Sequence, residues 1–225
     1  MLEIIGMSVE DAIAIEKCGA DRIELISALT EGGLTPSYGL IESVVNKVKI
    51  PVNVMIRHHA KSFVYSDEDI KIMVKDIEKV KEIGANGVVL GMLDTNNIIR
   101  EDQLITLLEA AKGLDVTYHR AIDETDVIKS IKILNKYEGI TNVLTSAGKG
   151  NIAENIEKIN EMKKYSGHIN ILLGGGLNFE NIEKIKALTN NADFHFGTAV
   201  RVDKNPFGEI DEEKLKRLVN IINNK

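Results

Sequence analysis

Charged and imidazole side chains recur at the ends of short apolar segments throughout the chain. Carboxylates and histidines move protons near neutral pH when burial tunes their pKa, and guanidinium groups bind anions. Side chains of this kind that meet at one place would form a site for acid–base chemistry on an anionic ligand. The candidate catalytic residues are Glu24, Arg57, His119 and Asp123, with Glu3 and His195 as further ionisable groups.

Glycine-containing loops late in the chain are the second chemical feature. Glycine lets the backbone approach an anion closely, and the N-terminus of a following helix favours negative charge. The alternative is that these glycines only make tight turns between strands and helices. The candidate substrate-binding residues are Asp94, Arg120, Ser146, Gly174, Gly175, Gly176 and Gly197.

Purely structural roles for the same residues stay open at this point. Glu3, Glu24 and Arg57 could form a buried ion-pair network that fills a protein interior, since buried charges need partners. The two histidines, His119 and His195, could be hydrogen-bonded core residues. The adjacent pair at 58–59 is interpreted as incidental, because it lies in a loop.

Alternating apolar runs and amphipathic stretches indicate the elements that must position these residues. Ser8 and Ser66 precede helical patterns with an aspartate three residues on, and Asp211 precedes the last helical pattern. Pro36 is predicted to begin the second helix. The predicted strands are 2–5, 22–26, 51–57, 87–91, 115–120, 142–146, 169–173 and 193–197. The predicted helices begin near 8, 36, 66, 101, 127, 152, 178 and 211.

Eight strand–helix units in 225 residues predict a single (β/α)8 TIM barrel in the α/β class, as one domain over 1–225. The competing architecture is an open doubly wound sheet, which usually has a G-x-G-x-x-G loop after its first strand. Here the first strand is followed by Gly6-Met7-Ser8. In a barrel the chemistry lies at the C-terminal ends of the strands, where the candidate residues fall.

Composition excludes several classes of protein. The formal charge is −6, tryptophan is absent, and no basic stripe interleaved with aromatics occurs, so we expect no nucleic-acid partner. No apolar run has the length of a membrane span, and no signal peptide is recognisable, so we expect a cytoplasmic protein without membrane contact. The single cysteine, Cys18, fits a reducing compartment. The sequence does not decide whether the protein forms homo-oligomers.

Several motifs along the chain resemble those of one family. The segment 19–25 (GADRIEL) followed by 31–37 (EGGLTPS) resembles the signature of the CutC family of copper homeostasis proteins. Further matches are VMIR at 54–57, FVYSD at 63–67, LD at 93–94, HRAID at 119–123 and VLTS at 143–146. The resemblance implies a cytoplasmic (β/α)8 barrel with a role in copper handling.

The chain departs from the family pattern where copper is concerned. Many members have cysteines where this chain has Ile5, Gly6 and Ile26, and their loop after the third strand reads PRGGD where this chain has HHAKS. Thiolate and thioether groups are the ligands that select Cu(I). Cys18 lies within a predicted helix and is interpreted as a packing residue. The remaining candidate metal ligands are His119, His195 and Met55, with Glu24 as a possible oxygen ligand.

Two functions therefore remain open. One is a copper homeostasis protein with a copper or anionic-ligand site at the barrel mouth. The other is a barrel enzyme that acts on a small anionic or phosphorylated metabolite by general acid–base chemistry. In the second, Glu24 or His119 moves the proton while Arg57 and Arg120 hold the anion. A scaffold with a vestigial site is a weaker third alternative.

Overall fold

The computed structural model describes residues 1–223, and it confirms the predicted barrel. The strands are β1 Leu2–Gly6, β2 Arg22–Leu25, β3 Val52–Met55, β4 Gly87–Leu90, β5 Asp115–Tyr118, β6 Asn142–Thr145, β7 Asn170–Leu173 and β8 Phe194–Phe196. The helices are α1 Val9–Cys18, α2 Tyr38–Val45, α3 Asp67–Ile83, α4 Glu101–Ala110, α5 Val127–Leu134, α6 Ile156–Tyr165, α7 Ile182–Thr189 and α8 Glu212–Asn223. All strands are parallel, follow one another in chain order, and close through β1 and β8.

Local sequence signals explain where the helices begin. The Ser8 side chain accepts a hydrogen bond from the Asp11 N–H at the start of α1. Ser66 and Asp69 form a complete capping box at the start of α3, which satisfies two backbone N–H groups that the helix leaves unpaired. The Asp211 carboxylate accepts from the Lys214 N–H, so the predicted cap of α8 is also confirmed.

Three predicted helix starts differ from the structure. Pro36 lies before α2, because Ser37 is the N-cap and accepts from the Leu40 N–H. The segment from 152 forms a short 3-10 turn, Ile152–Glu154, before α6 begins. Asn178 organises a turn instead of a helix, since its side chain accepts from the N–H groups of Glu180 and Asn181. Asparagine side chains compete in this way with the helical hydrogen-bond pattern.

Six of the eight strands end earlier than predicted, and this positions the site. The third and fifth strands stop at Met55 and Tyr118 instead of at Arg57 and Arg120. Arg57, His119 and Arg120 therefore leave the sheet at its C-terminal edge, where their side chains can turn toward the barrel mouth.

Side-chain alternation places ionisable groups inside the barrel. In the sheet register Glu3 stands beside Arg22 of β2 on one side and His195 of β8 on the other. Glu24 follows Arg22 by two residues and so faces the same interior. Apolar strand residues such as Ile4, Ile23 and Val54 alternate with these and belong to the main hydrophobic core. Ile5, Met55 and Val89 belong to a separate small cluster. No helix within residues 1–223 is both long and apolar enough to cross a membrane.

Candidate functional site

The C-terminal mouth of the barrel opens into a cavity of about 430 Å³. Strand ends and the loops after them supply its walls, as the barrel fold requires. Most of the predicted site residues meet here. The lining includes Glu24, Met55, Arg57, Phe63, His119, Arg120, Asp123, Gly175, Gly176, His195, Gly197 and Thr198.

Four ionisable groups form a buried cluster, and two of them, Glu24 and His195, line the cavity. Arg22 Nε donates to Glu3 Oε2 at 2.5 Å, and His195 Nδ1 lies 2.8 Å from Glu3 Oε1. The Nε2 atom on the other edge of the His195 ring lies 3.7 Å from Glu24 Oε2. Glu3 is thus held by two cationic or donor partners, whereas Glu24 Oε1 has no hydrogen-bond partner within residues 1–223.

Burial and charge pull the pKa values of this cluster in different directions. Burial raises the pKa of Glu24 to about 7, and the nearby Glu3 charge adds to that rise. Burial acts to raise the pKa of Glu3 as well, but Arg22 and His195 outweigh it and leave that pKa lowered. Burial opposes protonation of His195, yet the carboxylates of Glu24 and Glu3 outweigh it and leave the pKa of His195 raised.

The cluster can therefore hold one exchangeable proton at neutral pH. With Glu3 anionic and Arg22 cationic, the proton resides either on the Glu24 carboxyl or on His195. Both arrangements have the same net charge, so moving the proton between them does not leave an uncompensated buried charge. A group with a pKa near 7 that faces a cavity is suited to general acid–base catalysis.

His119 is about as deeply buried as His195, but its charged neighbours are arginines instead of carboxylates. Its Nδ1 accepts a hydrogen bond from the Ala121 N–H at 3.1 Å, so the neutral ring has its proton on Nε2. Burial lowers the pKa of His119, and together with the positive charge of Arg57 it brings that pKa to about 3. Nε2 has no partner within residues 1–223. His119 is accordingly a neutral imidazole of the cavity lining, with one buried ring nitrogen that has no hydrogen-bond partner within residues 1–223.

Two residues that shape the setting of His119 were not predicted from the sequence. A methyl group in place of the Gly91 hydrogen would lie 2.5 Å from His119 Nδ1, so glycine is needed there for space. The Phe63 ring lies 5.0 Å from the His119 ring, and the Arg57 guanidinium lies 5.0 Å from the Phe63 centroid. Only the tertiary contact reveals these roles.

Arg57 is fixed by backbone carbonyl groups of the loop after β2. Its Nη1 donates to the carbonyl oxygens of Glu31 at 2.6 Å and Gly33 at 3.0 Å. Its Nε has no partner within residues 1–223. The guanidinium therefore reaches the cavity wall in one defined orientation, without a carboxylate partner among the hydrogen bonds and ion pairs of the described chain.

Arg120 lies at the rim and is held by Asp123. Arg120 Nε donates to Asp123 Oδ2 at 2.9 Å, and Nη2 donates to Ser146 Oγ at 3.2 Å. Asp123 Oδ1 also accepts from Thr145 Oγ1 and from the N–H groups of Ser146 and Gly148. Asp123 is thus fully engaged and positions Arg120, whose side chain remains about half exposed at 48%.

The glycine loop after β7 packs directly against this arginine. Gly175 has φ +89°, and a methyl group at its Cα would lie 2.6 Å from Arg120 Cζ. Gly175, Gly176 and Gly197 line the cavity, but Gly174 does not. Gly174 is instead needed for packing, since a methyl group there would lie 2.7 Å from Leu144 Cδ1.

Two further predicted binding residues also lie away from the cavity wall. Asp94 accepts from the N–H groups of Asn96 and Ile98 and closes the turn after β4. Ser146 is turned toward Asp123 and the Gly148 carbonyl and reaches the site only through Arg120. The prediction placed both near the mouth from strand order alone. Strand order indicates at which end of the barrel a residue lies, but it does not indicate the direction of the side chain.

Arg22 is the ionisable residue of the cluster that sequence reasoning missed. Strand alternation offered a signal, because Arg22 and Glu24 are separated by one residue and must share a face. The buried pair Arg201–Asp11, with Nη2 and Oδ2 2.7 Å apart, was also missed. It joins the loop after β8 to α1 over a separation of 190 residues and had no local signal.

The mouth contains side-chain types that bind copper. His119, His195 and Met55 line the same cavity and offer two imidazoles and one thioether. Cys18 lies elsewhere, at the end of α1, with its Sγ 3.7 Å from the Glu212 carbonyl oxygen. Burial raises the pKa of the Cys18 thiol, which opposes the thiolate form that binds metals. The mouth therefore offers a copper ion imidazole and thioether groups but no thiolate.

The fold and this mouth define a TIM barrel with a buried acid–base cluster beneath two arginines. The chain belongs to the CutC family, whose sequence profile matches residues 1–200. The copper homeostasis protein cutC homolog of Homo sapiens is 37% identical over 197 residues, covering 87% of this chain and 72% of that protein. A CutC family protein of Bacteroides fragilis is 38% identical, covering 87% and 79% of the two chains.

Solved structures agree with this assignment. The crystal structure of CutC from Streptococcus agalactiae matches with a TM-score of 0.81 and 34% identity, covering 88% of this chain and 97% of that chain. A phosphoribosyl anthranilate isomerase from Thermococcus kodakaraensis matches with a TM-score of 0.66 at 16% identity, covering 100% and 99% of the two chains. At that identity the second likeness shows the fold alone.

Proposed function

We propose that the barrel mouth binds a small organic anion and exchanges a proton with it through Glu24 and His195. The observation that supports this most is Glu24 itself, a carboxyl of the cavity lining whose pKa is raised to about 7 and whose buried Oε1 has no hydrogen-bond partner within residues 1–223. A carboxyl in this setting exists in both protonation states at neutral pH. A purely structural role would not need that property.

Each side chain of the mouth has a defined part in this chemistry. Arg57 and Arg120 neutralise the anionic group of the ligand, and the backbone at Gly175 and Gly176 gives it room to approach. Glu24 accepts or donates the proton at the reacting atom, and His195 compensates the charge change because Glu3 holds it in place. The neutral His119 donates a hydrogen bond from Nε2 to an oxygen of the ligand.

Binding is tested by a thermal-shift screen of phosphorylated and carboxylated metabolites. A ligand at 100 times its dissociation constant adds about 2.7 kcal/mol of stability. We expect Arg120→Gln to lose most of this shift. The matched control is Arg100→Gln, because Arg100 is an arginine bound to an aspartate, Asp102, outside the cavity. An equal shift in both variants would place the anion elsewhere.

Proton transfer is tested by hydrogen exchange from heavy water into the bound metabolite. We expect deuterium incorporation with the wild-type protein and its loss in Glu24→Gln, with binding retained. Incorporation at the wild-type rate in Glu24→Gln would contradict the role of Glu24, even if the anion binds at the mouth.

A second candidate function is copper binding at the mouth, as the human relative's name suggests. The observation that favours it is His119, whose neutral ring has an unpartnered Nε2 on the same cavity wall as Met55. Imidazole and thioether both bind copper. A competition titration with a Cu(I) chelator should give one equivalent that is lost in His119→Ala. Retention of that equivalent in the variant would exclude the histidine–methionine site.

A further inference from the structure

The loop between β3 and α3 contains a second cluster of ionisable side chains, outside the wall of the mouth cavity. His58 Nε2 lies 2.7 Å from Asp69 Oδ1, and His59 Nε2 lies 3.7 Å from Asp69 Oδ2. One ligand atom of each of these three residues lies within 4.8 Å of the others. The sequence alone suggested an incidental histidine pair, and the fold brings Asp69 to it.

Local structure fixes each member of this cluster. Asp69 is the third residue of α3, and its Oδ2 accepts from both the N–H and the hydroxyl of Ser66 at 2.8 Å. The His59 ring packs 5.0 Å from the Tyr65 ring. The His58 ring lies edge-on to the His59 ring, with their centroids 4.6 Å apart. The cap therefore holds the carboxylate, and aromatic packing holds the imidazoles.

Hydrogen bonding among these three residues is incomplete. Asp69 Oδ2 already accepts hydrogen bonds from Ser66. Of the two histidines, only His58 forms a hydrogen bond to the carboxylate. His59 is close to it but forms none, and its buried Nδ1 has no partner within residues 1–223. The hydrogen bonds from Ser66 lower the pKa of Asp69, so the carboxylate is ionised at neutral pH. Two imidazoles thus lie beside the ionised carboxylate of Asp69, and only one of them forms a hydrogen bond to it.

We infer that His58, His59 and Asp69 form a binding site for a divalent first-row transition ion of the zinc class. Zinc binds imidazole and carboxylate at about 2.0–2.2 Å, which places tetrahedral ligand atoms roughly 3.3 Å apart. The separations of 2.7 and 3.7 Å bracket that value. Three protein ligands leave a fourth position for water. Mg²⁺ and Ca²⁺ prefer oxygen ligands and fit this donor set poorly.

The position of this site ties it to the barrel mouth without sharing residues with it. Arg57, which directly precedes the histidine pair, lines the mouth, and so does Phe63 of the same loop. Asp76 follows Asp69 by seven residues and so lies on the same side of α3. An ion at this site would brace the loop that forms one wall of the mouth.

The test is equilibrium binding of Zn²⁺ to the full chain, with Mg²⁺ as the hard-ion comparison. We expect one equivalent of Zn²⁺ to be lost or weakened at least about tenfold in both His58→Gln and His59→Gln, since even outer partners of a metal ligand are worth that much. The matched control is His168→Gln, because His168 is an exposed histidine. Glu24→Gln separates this site from the mouth and should leave the equivalent unchanged.

Co²⁺ provides a spectroscopic readout of the same ligands. We expect the ligand-field absorption of a four-coordinate ion with the wild-type protein and its disappearance in both histidine variants, with far-UV circular dichroism unchanged. Any of the following results would overturn the inference: no Zn²⁺ bound by the wild-type protein, wild-type affinity in either histidine variant, or loss of the equivalent in Glu24→Gln. Equal affinity for Mg²⁺ would also overturn it.

Discussion

His195 and His119 line the same cavity and are almost equally buried, but they have opposite acid–base properties. His195 lies between two carboxylates, which raise its pKa against the effect of burial. His119 has Arg57 and Arg120 as its charged neighbours, which reinforce burial and lower its pKa to about 3. The comparison shows that residue type and burial do not assign a role at this mouth. The charges of neighbouring residues set the pKa of each histidine and so assign its role.

The two sides of the mouth therefore divide the chemistry. The side formed by β1, β2 and β8 holds an exchangeable proton in a cluster of balanced charge. The side formed by the loops after β3 and β5 holds two arginines and a neutral imidazole, and it suits the binding of an anion. The predictions on Glu3, His119 and Gly175 each change one side and leave the other as the reference.

Removing the charge of Glu3 should have the largest effect. Glu3→Gln leaves Arg22 buried without its anionic partner, and breaking a buried ion pair in this way costs about 3–5 kcal/mol. The free energy of unfolding in urea measures the loss. Glu209→Gln, at an exposed position, should change it by less than about 0.5 kcal/mol. A loss for Glu3→Gln as small as that of the control would show that Arg22 finds another partner.

Acidification should act on the two histidines in opposite directions. Because the folded-state pKa of His119 is lowered, its contribution to stability is complete above the unfolded pKa and falls with decreasing pH by about 1.4 kcal/mol per unit. The contribution of His195, whose folded pKa is raised, is complete below its unfolded pKa of about 6.5 and is lost as pH rises through the folded pKa.

The stability difference between wild type and His119→Gln isolates the first of these effects, because Glu24 and His195 are present in both proteins. Between about pH 6.5 and 5 we expect wild type to lose about 2 kcal/mol relative to the variant. Ring resonances in NMR spectra provide a direct check, since the His119 signals should not shift over this range. Titration of His119 near pH 6.5 would contradict the assignment.

Substitution of Gly175 should have a smaller effect, confined to the arginine side. Gly175→Ala strains a backbone at φ +89° and pushes a methyl group against Arg120. Gly113→Ala is the matched control, with φ +92° and no neighbouring atom within 4 Å. We expect about 1 kcal/mol of destabilisation in the control and about 2 kcal/mol in Gly175→Ala. Anion-induced thermal stabilisation should weaken only in Gly175→Ala; equal binding in both would remove Gly175 from the site.

Cys18→Ala should have the smallest effect and tests whether metal chemistry extends beyond the mouth. The thiol is buried at the end of α1 and its pKa is raised by burial, so we expect a loss of about 1 kcal/mol or less from packing. The Cu(I) stoichiometry in a chelator competition should equal that of wild type. Loss of a tightly bound equivalent would show that Cys18 is a ligand.

Much of the fold could be predicted because the signals for it are local. Ser66 with Asp69, and Asp211 before α8, mark helix starts through hydrogen bonds made within a few residues. The prediction failed at Pro36 and Asn178, where a neighbouring serine or the asparagine side chain formed a different local hydrogen bond. These alternatives differ by about one hydrogen bond, which is too little for pattern reasoning to resolve.

The sequence by itself determined the barrel, the strand that each ionisable residue belongs to, and the end of the barrel at which they lie. Strand order and alternation are enough for this, because parallel strands place all their C-terminal ends at one edge. Only the tertiary structure decided that Glu3 pairs with Arg22 and His195, that Asp123 is occupied in holding Arg120, and that Asp94 turns away. The reason is that a pKa and a side-chain direction depend on distances of a few ångströms between distant segments, which no spacing along the chain encodes.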